Sequence, residues 1–204
     1  MKQVDKAHYA FEKYCYPDRW ASYYYQIREI VQTNPRSVLE VGTGDGVVKQ
    51  YIQHNTDIAY TNLDVAEDLK PDILGSVDAM PVPDESFDVV CAFEVLEHMP
   101  FELFEKNVLE MARVAKRYVL ISLPHFGPPI KISFKVPFMR EFVFAIKVPF
   151  PIQHIFNGEH YWEIGKRGYP LSKIKGILAK HFVLEKDFVP FENQYHHFFV
   201  LRKK

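Results

Sequence analysis

The chain has 204 residues and a formal net charge of -1, with 25 Lys plus Arg against 26 Asp plus Glu. That length suits one domain better than two, and such a charge balance gives no global attraction for nucleic acid. Hydrophobic residues at 48% and charged residues at 25% exclude a disordered or fibrous chain. Cys15 and Cys91 are too few for a disulfide framework, so a cytoplasmic protein is expected. Residues 1–14 lack an apolar core with a cleavage site, and no apolar run reaches ~18 residues, so neither secretion nor membrane spanning is expected.

In chain order, residues 1–35 read as a helical arm. Trp20 to Gln32 carries Ile27, Ile30 and Val31 on one face before Asn34-Pro35 stops it. From residue 37 onward, short β-branched runs alternate with helical stretches, the pattern of a parallel sheet covered by helices. Residues 37–41, 59–64, 87–93 and 117–123 read as strands, with a shorter one at 73–77. Helices are expected at 47–53 and at 101–114, where Phe101, Phe104, Val108 and Met111 or Ala112 recur at helical spacing. Residues 124–165 break the alternation with an aromatic, Pro-rich insertion after the fifth strand. Insertions of this length in such sheets are usually lids or binding loops. A helix at 171–180 then leads into strands at 182–189 and 195–203. The short connection between these two strands demands an antiparallel hairpin, because a parallel return needs a dozen or more residues. The fold class is therefore a doubly wound α/β, Rossmann-like domain occupying residues 1–204.

The 17 Phe, 12 Tyr and 2 Trp concentrate at 9–25 and 126–162, as if two aromatic segments flank one site.

The most informative local pattern is VLEVGTGDG at 38–46, a strand running into Gly42, Gly44 and Gly46 and then into a helix. Glycines there permit positive φ and let a ligand approach the backbone. Asp64 ends the second strand, at the distance where a carboxylate commonly grips a ribose. Val47 stands where a dinucleotide fingerprint carries its last glycine, and Asp45 disfavours a phosphate near the helix start. With Glu40, these acidic groups suit a ligand with a ribose, an adenine and a cationic or zwitterionic end.

At VLEVGTGDG, Asp64, SVDAMPVPDESFDVVCAFEVLEHMP (76–100) and the terminal hairpin, the chain resembles class I S-adenosylmethionine-dependent methyltransferases of the type 11 kind. The resemblance implies a seven-stranded sheet with the last strand antiparallel and S-adenosyl-L-methionine as cofactor. It implies a cofactor site of Glu40, Gly42, Gly44, Asp64, Val65, Asp78, Ala79, Met80 and Glu94. Gly42 and Gly44 would meet the methionine part, Asp64 the ribose hydroxyls, and Asp78 the adenine amino group. Ala79 and Met80 would line the adenine, and Glu94 would border the methionine end.

A methyl sulfonium is already an electrophile, so positioning and exclusion of water carry much of such chemistry. A hydroxyl acceptor would also need a base, and His125, Glu159 and His160 are the candidates. Glu94 and His98 at i, i+4 would suit a metal, but no second pair with ligand spacing exists and no metal is expected. FEVL at 93–96 departs from the N-P-P-Y-like tetrapeptide of enzymes that methylate nucleic-acid bases. A small-molecule or amphiphilic acceptor is expected instead. Lys131, Lys135, Arg140 and Lys147 among Phe and Ile leave open a peripheral membrane contact and a lipid-linked acceptor. The other readings are a dinucleotide-dependent oxidoreductase and a non-catalytic nucleotide-binding module.

Overall fold

The computed structural model describes residues 6–204, so the first five residues of the expected arm lie outside the described residues. The arm holds a four-residue helix α1 (Phe11–Tyr14) and the longer α2 (Pro17–Gln32). Then follow β1 (Ser37–Val41), α3 (Val47–Asn55), β2 (Ala59–Asp64), β3 (Ile73–Leu74), β4 (Phe87–Phe93), α4 (Phe104–Val114) and β5 (Ala115–Pro124). The insertion contributes β6 (Pro129–Phe134) and β7 (Phe142–Lys147), and α5 (Leu171–His181), β8 (Phe182–Phe188) and β9 (His196–Lys203) close the chain.

Seven strands form one sheet in the order β3-β2-β1-β4-β5-β9-β8. β1 to β5 pair in parallel, and β9 runs antiparallel to both β5 and β8. The hairpin expected from its short connection is therefore present. Parallel strands are buried on both faces, so their side chains divide by alternation. Val38, Val89, Cys91 and Leu120 pack on one side with Tyr23 and Ile30 of α2 and Val48 and Ile52 of α3. Leu39, Val41, Val90, Ala92, Val119 and Ile121 face the other side, against α4 and α5. On α4 the apolar stripe is Phe104, Val108 and Met111, at the i, i+4, i+7 spacing read in the sequence.

Positive φ at Gly42 (88°), Gly44 (55°) and Gly46 (77°) lets β1 turn directly into α3. A Cβ on Gly42 would lie 2.6 Å from Cγ2 of Val95, so glycine is required there by crowding as well as by φ.

The insertion returns to where it departs. Ile164 donates to the Pro124 carbonyl (3.0 Å) and accepts from the Phe126 N–H (2.8 Å). Trp162 is fully buried beside Phe101 and Phe104, and its indole N–H donates to the Met99 carbonyl (3.0 Å). Between these anchors, β6 and β7 form a separate two-stranded ribbon whose residues are almost all exposed. Among the described residues, no helix is long and apolar enough to cross a membrane.

The β5–β9 seam buries imidazoles. Nδ1 of His125 and Nδ1 of His197 lie 2.9 Å apart. Burial pushes the pKa of His125 down to about 3, with Lys147 and the partner imidazole acting the same way. Burial also pushes His197 down to about 4, against the opposing pull of Asp187. Both titrate near 6.5 in the unfolded chain, so between about pH 6.5 and 4 the unfolded state binds protons that the native state refuses. Their contribution to stability is complete above pH 6.5 and drains away as the pH falls through that window. Replacing both imidazoles by Gln should therefore make the change in urea stability from pH 7 to pH 5 less unfavourable than in the wild type, where the raised carboxyls of Glu40 and Glu94 push the other way. An unchanged slope in the double variant would mean these groups are not the source.

Candidate active site

A cavity of about 360 Å³ opens at the carboxyl ends of β1, β2 and β4, the edge where ligands of doubly wound sheets bind. Its floor is the glycine turn, with Glu40 through Val48 contributing, and one side carries Leu63, Asp64, Val65 and Ala66. The Asp64 carboxylate accepts the Thr43 N–H (2.7 Å) on one oxygen and the Ala66 N–H (2.8 Å) on the other. It thereby clasps the turn after β1 to the turn after β2. The Gly42 N–H adds a bond to the Leu63 carbonyl (2.8 Å).

Two polar side-chain atoms in this wall are buried without a hydrogen-bond partner, Oε2 of Glu40 and Oγ1 of Thr43. Burial holds the Glu40 carboxyl up, at a pKa of about 8. Such orphaned atoms normally have a ligand or water to satisfy them. Around Gly44, the position of an added Cβ meets nothing within 4 Å. The wall therefore suits a ligand that donates hydrogen bonds and presses on the backbone of the turn.

Opposite Asp64 stand Phe93, Glu94, Val95 and His98. Glu94 has φ 55°, a left-handed conformation that is costly for a residue with a Cβ and is found mostly where function demands it. Burial raises the pKa of Glu94 to about 7 and lifts that of Glu97 well above the ordinary carboxylate range, and the Glu94 carboxylate raises Glu97 further by like-charge repulsion.

The sites expected from sequence are not all brought together. Glu40, Gly42, Gly44, Asp64, Val65 and Glu94 all line the cavity. Asp78, Ala79 and Met80 do not. Gly75, Ser76 and Val77 hold that stretch of wall, while an isolated bridge between Ser76 and Ala79 turns the chain away. The Met80 side chain is 4% exposed and belongs to the core. His125 lies in a different depression with Asp18, Lys147, Phe150 and Tyr195, its ring against His197. Glu159 and His160 approach the cavity indirectly. The Glu159 carbonyl accepts from Nδ1 of His98 (3.0 Å), and the His160 ring packs edge-on against His98 with centroids 5.0 Å apart.

The arm supplies wall residues that sequence reasoning did not name individually, among them Tyr14, Arg19, Tyr23 and Gln26. The Tyr23 hydroxyl donates to Asp45 (2.5 Å), and the Arg19 guanidinium stacks over the Tyr14 ring at 4.2 Å. A polar knot seats α2 on the sheet. Ser22 Oγ lies 2.9 Å from Nδ1 of His196 and accepts from the Asn193 amide (2.8 Å). The aromatic concentration at 9–25 was the available signal for this wall. Of the insertion, 124–165, Tyr161 lines the cavity.

Residues 39–121 match the family described as methyltransferase domain. No curated protein matches the sequence. Among solved structures, a protein from Pyrococcus horikoshii OT3 superposes with a TM-score of 0.62 at 12% identity, covering 98% of this chain and 100% of that one. A SAM-dependent methyltransferase from Aquifex aeolicus gives 0.61 at 14% identity, over 98% and 100% of the two chains. The Burkholderia thailandensis 1,6-didemethyltoxoflavin-N1-methyltransferase, solved with 1,6-didemethyltoxoflavin and S-adenosylhomocysteine, gives 0.59 at 14% identity over 91% and 80%. Likeness at such identities speaks to the fold, and the segment from β1 to β5 speaks to the family. Residues 39–121 thus match the methyltransferase-domain family, and the chain shares its fold with S-adenosylmethionine-dependent methyltransferases of known structure.

Proposed function

We propose that the chain transfers a methyl group from S-adenosylmethionine to an amphiphilic acceptor presented at a membrane surface. The observation that carries the donor half is the cavity over the glycine turn, where Asp64 is clasped and Glu40 and Thr43 present unsatisfied polar atoms. The donor supplies an activated methyl group on a positively charged sulfur. The protein's part is to hold and orient it: Asp64 keeps lone pairs for ribose hydroxyls, Gly42 and Gly44 leave room at the backbone, and the carboxylates of the wall favour a cationic ligand. Tyr14, Arg19 and Tyr23 of the arm exclude water from one side. Of the three candidates for acceptor activation, His160 is retained, because it packs on His98 of the cavity wall, whereas His125 lies in a separate depression.

The acceptor half has support from the β6–β7 ribbon. Residues directly opposite in an antiparallel pair share a face. The pairs Ile130–Ile146, Ile132–Phe144 and Phe134–Phe142 therefore make one continuous apolar face, each side chain between 46% and 62% exposed. Lys131, Ser133 and Lys147 occupy the other face, where Lys131 and Lys147 reach the body and Ser133 bonds to Glu141 within the ribbon. The Lys131 ammonium sits 4.6 Å from the Phe191 ring centroid, and Lys147 donates to the His125 carbonyl. Phe138, Met139 and Arg140 lie between the two strands, beyond their paired ends. An isolated hairpin is marginal in water unless something covers its apolar face. A lipid surface does so, with Lys135 and Arg140 near anionic headgroups.

Calorimetry is expected to show binding of S-adenosylmethionine. Replacing Asp64 by Ala removes charged hydrogen bonds worth roughly 1.5–3 kcal/mol each, so affinity should fall at least ~10-fold. Equal affinity in a folded Asp64→Ala protein would remove the carboxylate from the site. Failure of the wild type to bind would leave a module that keeps only the fold.

The ribbon has its own test. Sedimentation with phosphatidylcholine vesicles containing phosphatidylglycerol should carry down the wild type but not an Ile132→Asp, Phe144→Asp variant, with donor affinity the same in both. A vesicle-indifferent wild type that is dimeric, and becomes monomeric in that variant, would show the face covered by a second copy instead.

A further inference from the structure

At the edge of the donor cavity, sharing His98 with its lining, lies a group of side chains that methyl transfer by positioning does not require. Glu97 is fully buried, and neither of its carboxylate oxygens has a hydrogen-bond partner. A bare carboxylate so placed is expensive unless a cation or a donor satisfies it. Ligand atoms of Glu97, His98 and His160 all lie within 4.8 Å of one another. Both imidazoles are oriented from behind. Nδ1 of His98 is 3.0 Å from the Glu159 carbonyl, and Nδ1 of His160 is 3.1 Å from Oε1 of Glu163, which also accepts the Tyr195 hydroxyl (2.8 Å). A carbonyl or carboxylate bonded to Nδ1 makes that nitrogen the N–H and gives Nε2 the lone pair, the usual arrangement behind a metal-bound histidine. The backbone fastens the two segments as well, through the Tyr161 N–H to the Glu97 carbonyl (2.9 Å).

We propose that Glu97, His98 and His160 bind a divalent first-row transition metal ion. Two imidazoles and one carboxylate form a mixed nitrogen and oxygen set, suited to zinc, manganese or cobalt and poorly suited to magnesium or calcium, which favour oxygen alone. Ligand atoms about 2.1 Å from a common ion lie about 3 to 4.2 Å apart, so a small inward rotation of these side chains closes the set. Three protein ligands leave coordination positions for water or a substrate oxygen. His98 also lines the donor cavity and Glu94 stands beside it, so the open side adjoins the space where the acceptor would meet the methyl group. An oxygen bound there loses its proton more readily, to solvent water, so a hydroxyl acceptor would be activated by the ion, with His160 serving as its ligand rather than as a base. That role rests on the methyl-transfer proposal; binding of the ion does not.

The test uses the untagged full chain, stripped with chelator and titrated with cobalt(II) alone. Uptake of one equivalent with visible d–d absorption is expected, and zinc(II) should displace it. Glu97→Gln keeps the shape and removes the charge, and His160→Ala alters a residue of the insertion's returning segment. Each should weaken cobalt binding at least ~10-fold, by analogy with the 10–100-fold losses seen on changing even outer partners of metal sites, while thermal melts confirm folding. No saturable cobalt uptake by the wild type, or equal affinity in both folded variants, overturns the site. S-adenosylmethionine binding, measured separately by calorimetry, distinguishes loss of the metal proposal from loss of the donor proposal.

Discussion

The site depends on one carboxylate accepting two backbone N–H groups. Asp64 ends β2 and bridges the turn after β1 to the turn after β2. Neither turn belongs to the regular sheet, so without the bridge only the Gly42 to Leu63 bond would hold the glycines in register with β2. The same carboxylate faces the cavity, so the group that assembles the cradle is also the one offered to a ligand. Pre-organisation of this kind spares a ligand the cost of ordering the loop.

The second constraint is where polar groups are left unsatisfied. Glu40, Thr43, Glu94 and Glu97 all carry buried oxygens without partners, and all lie in β1 and β4 or within a few residues past their ends. Between α2 and β9, by contrast, Ser22, Asn193 and His196 satisfy one another and serve the fold.

Much of this was legible in the sequence because periodicity and spacing are local. Alternating β-branched runs, the glycine turn and a short last connection were enough for the sheet and its antiparallel strand. Asp64 could be placed at the cavity edge because a strand end fixes where a side chain goes. Asp78, Ala79 and Met80 were misplaced relative to the cavity because a loop's path is not periodic: the Ser76–Ala79 bridge shifts the wall to Gly75, Ser76 and Val77 and sends Met80 into the core. His160 meets His98 only because Trp162 and Ile164 bring the insertion back, a long-range event with no sequence period. The Tyr-rich arm announced itself by composition, but which rings face inward follows from the packing of α2.

Glu94 carries a further consequence in its backbone. At φ 55° a residue with a Cβ costs of order 1–3 kcal/mol, and glycine would remove that cost. Stability and chemistry therefore pull in opposite directions at this position. In a lineage selected only for persistence of the folded chain, the residue would drift toward glycine. Retention of a charged side chain there across relatives would be a record of selection for what the pocket does.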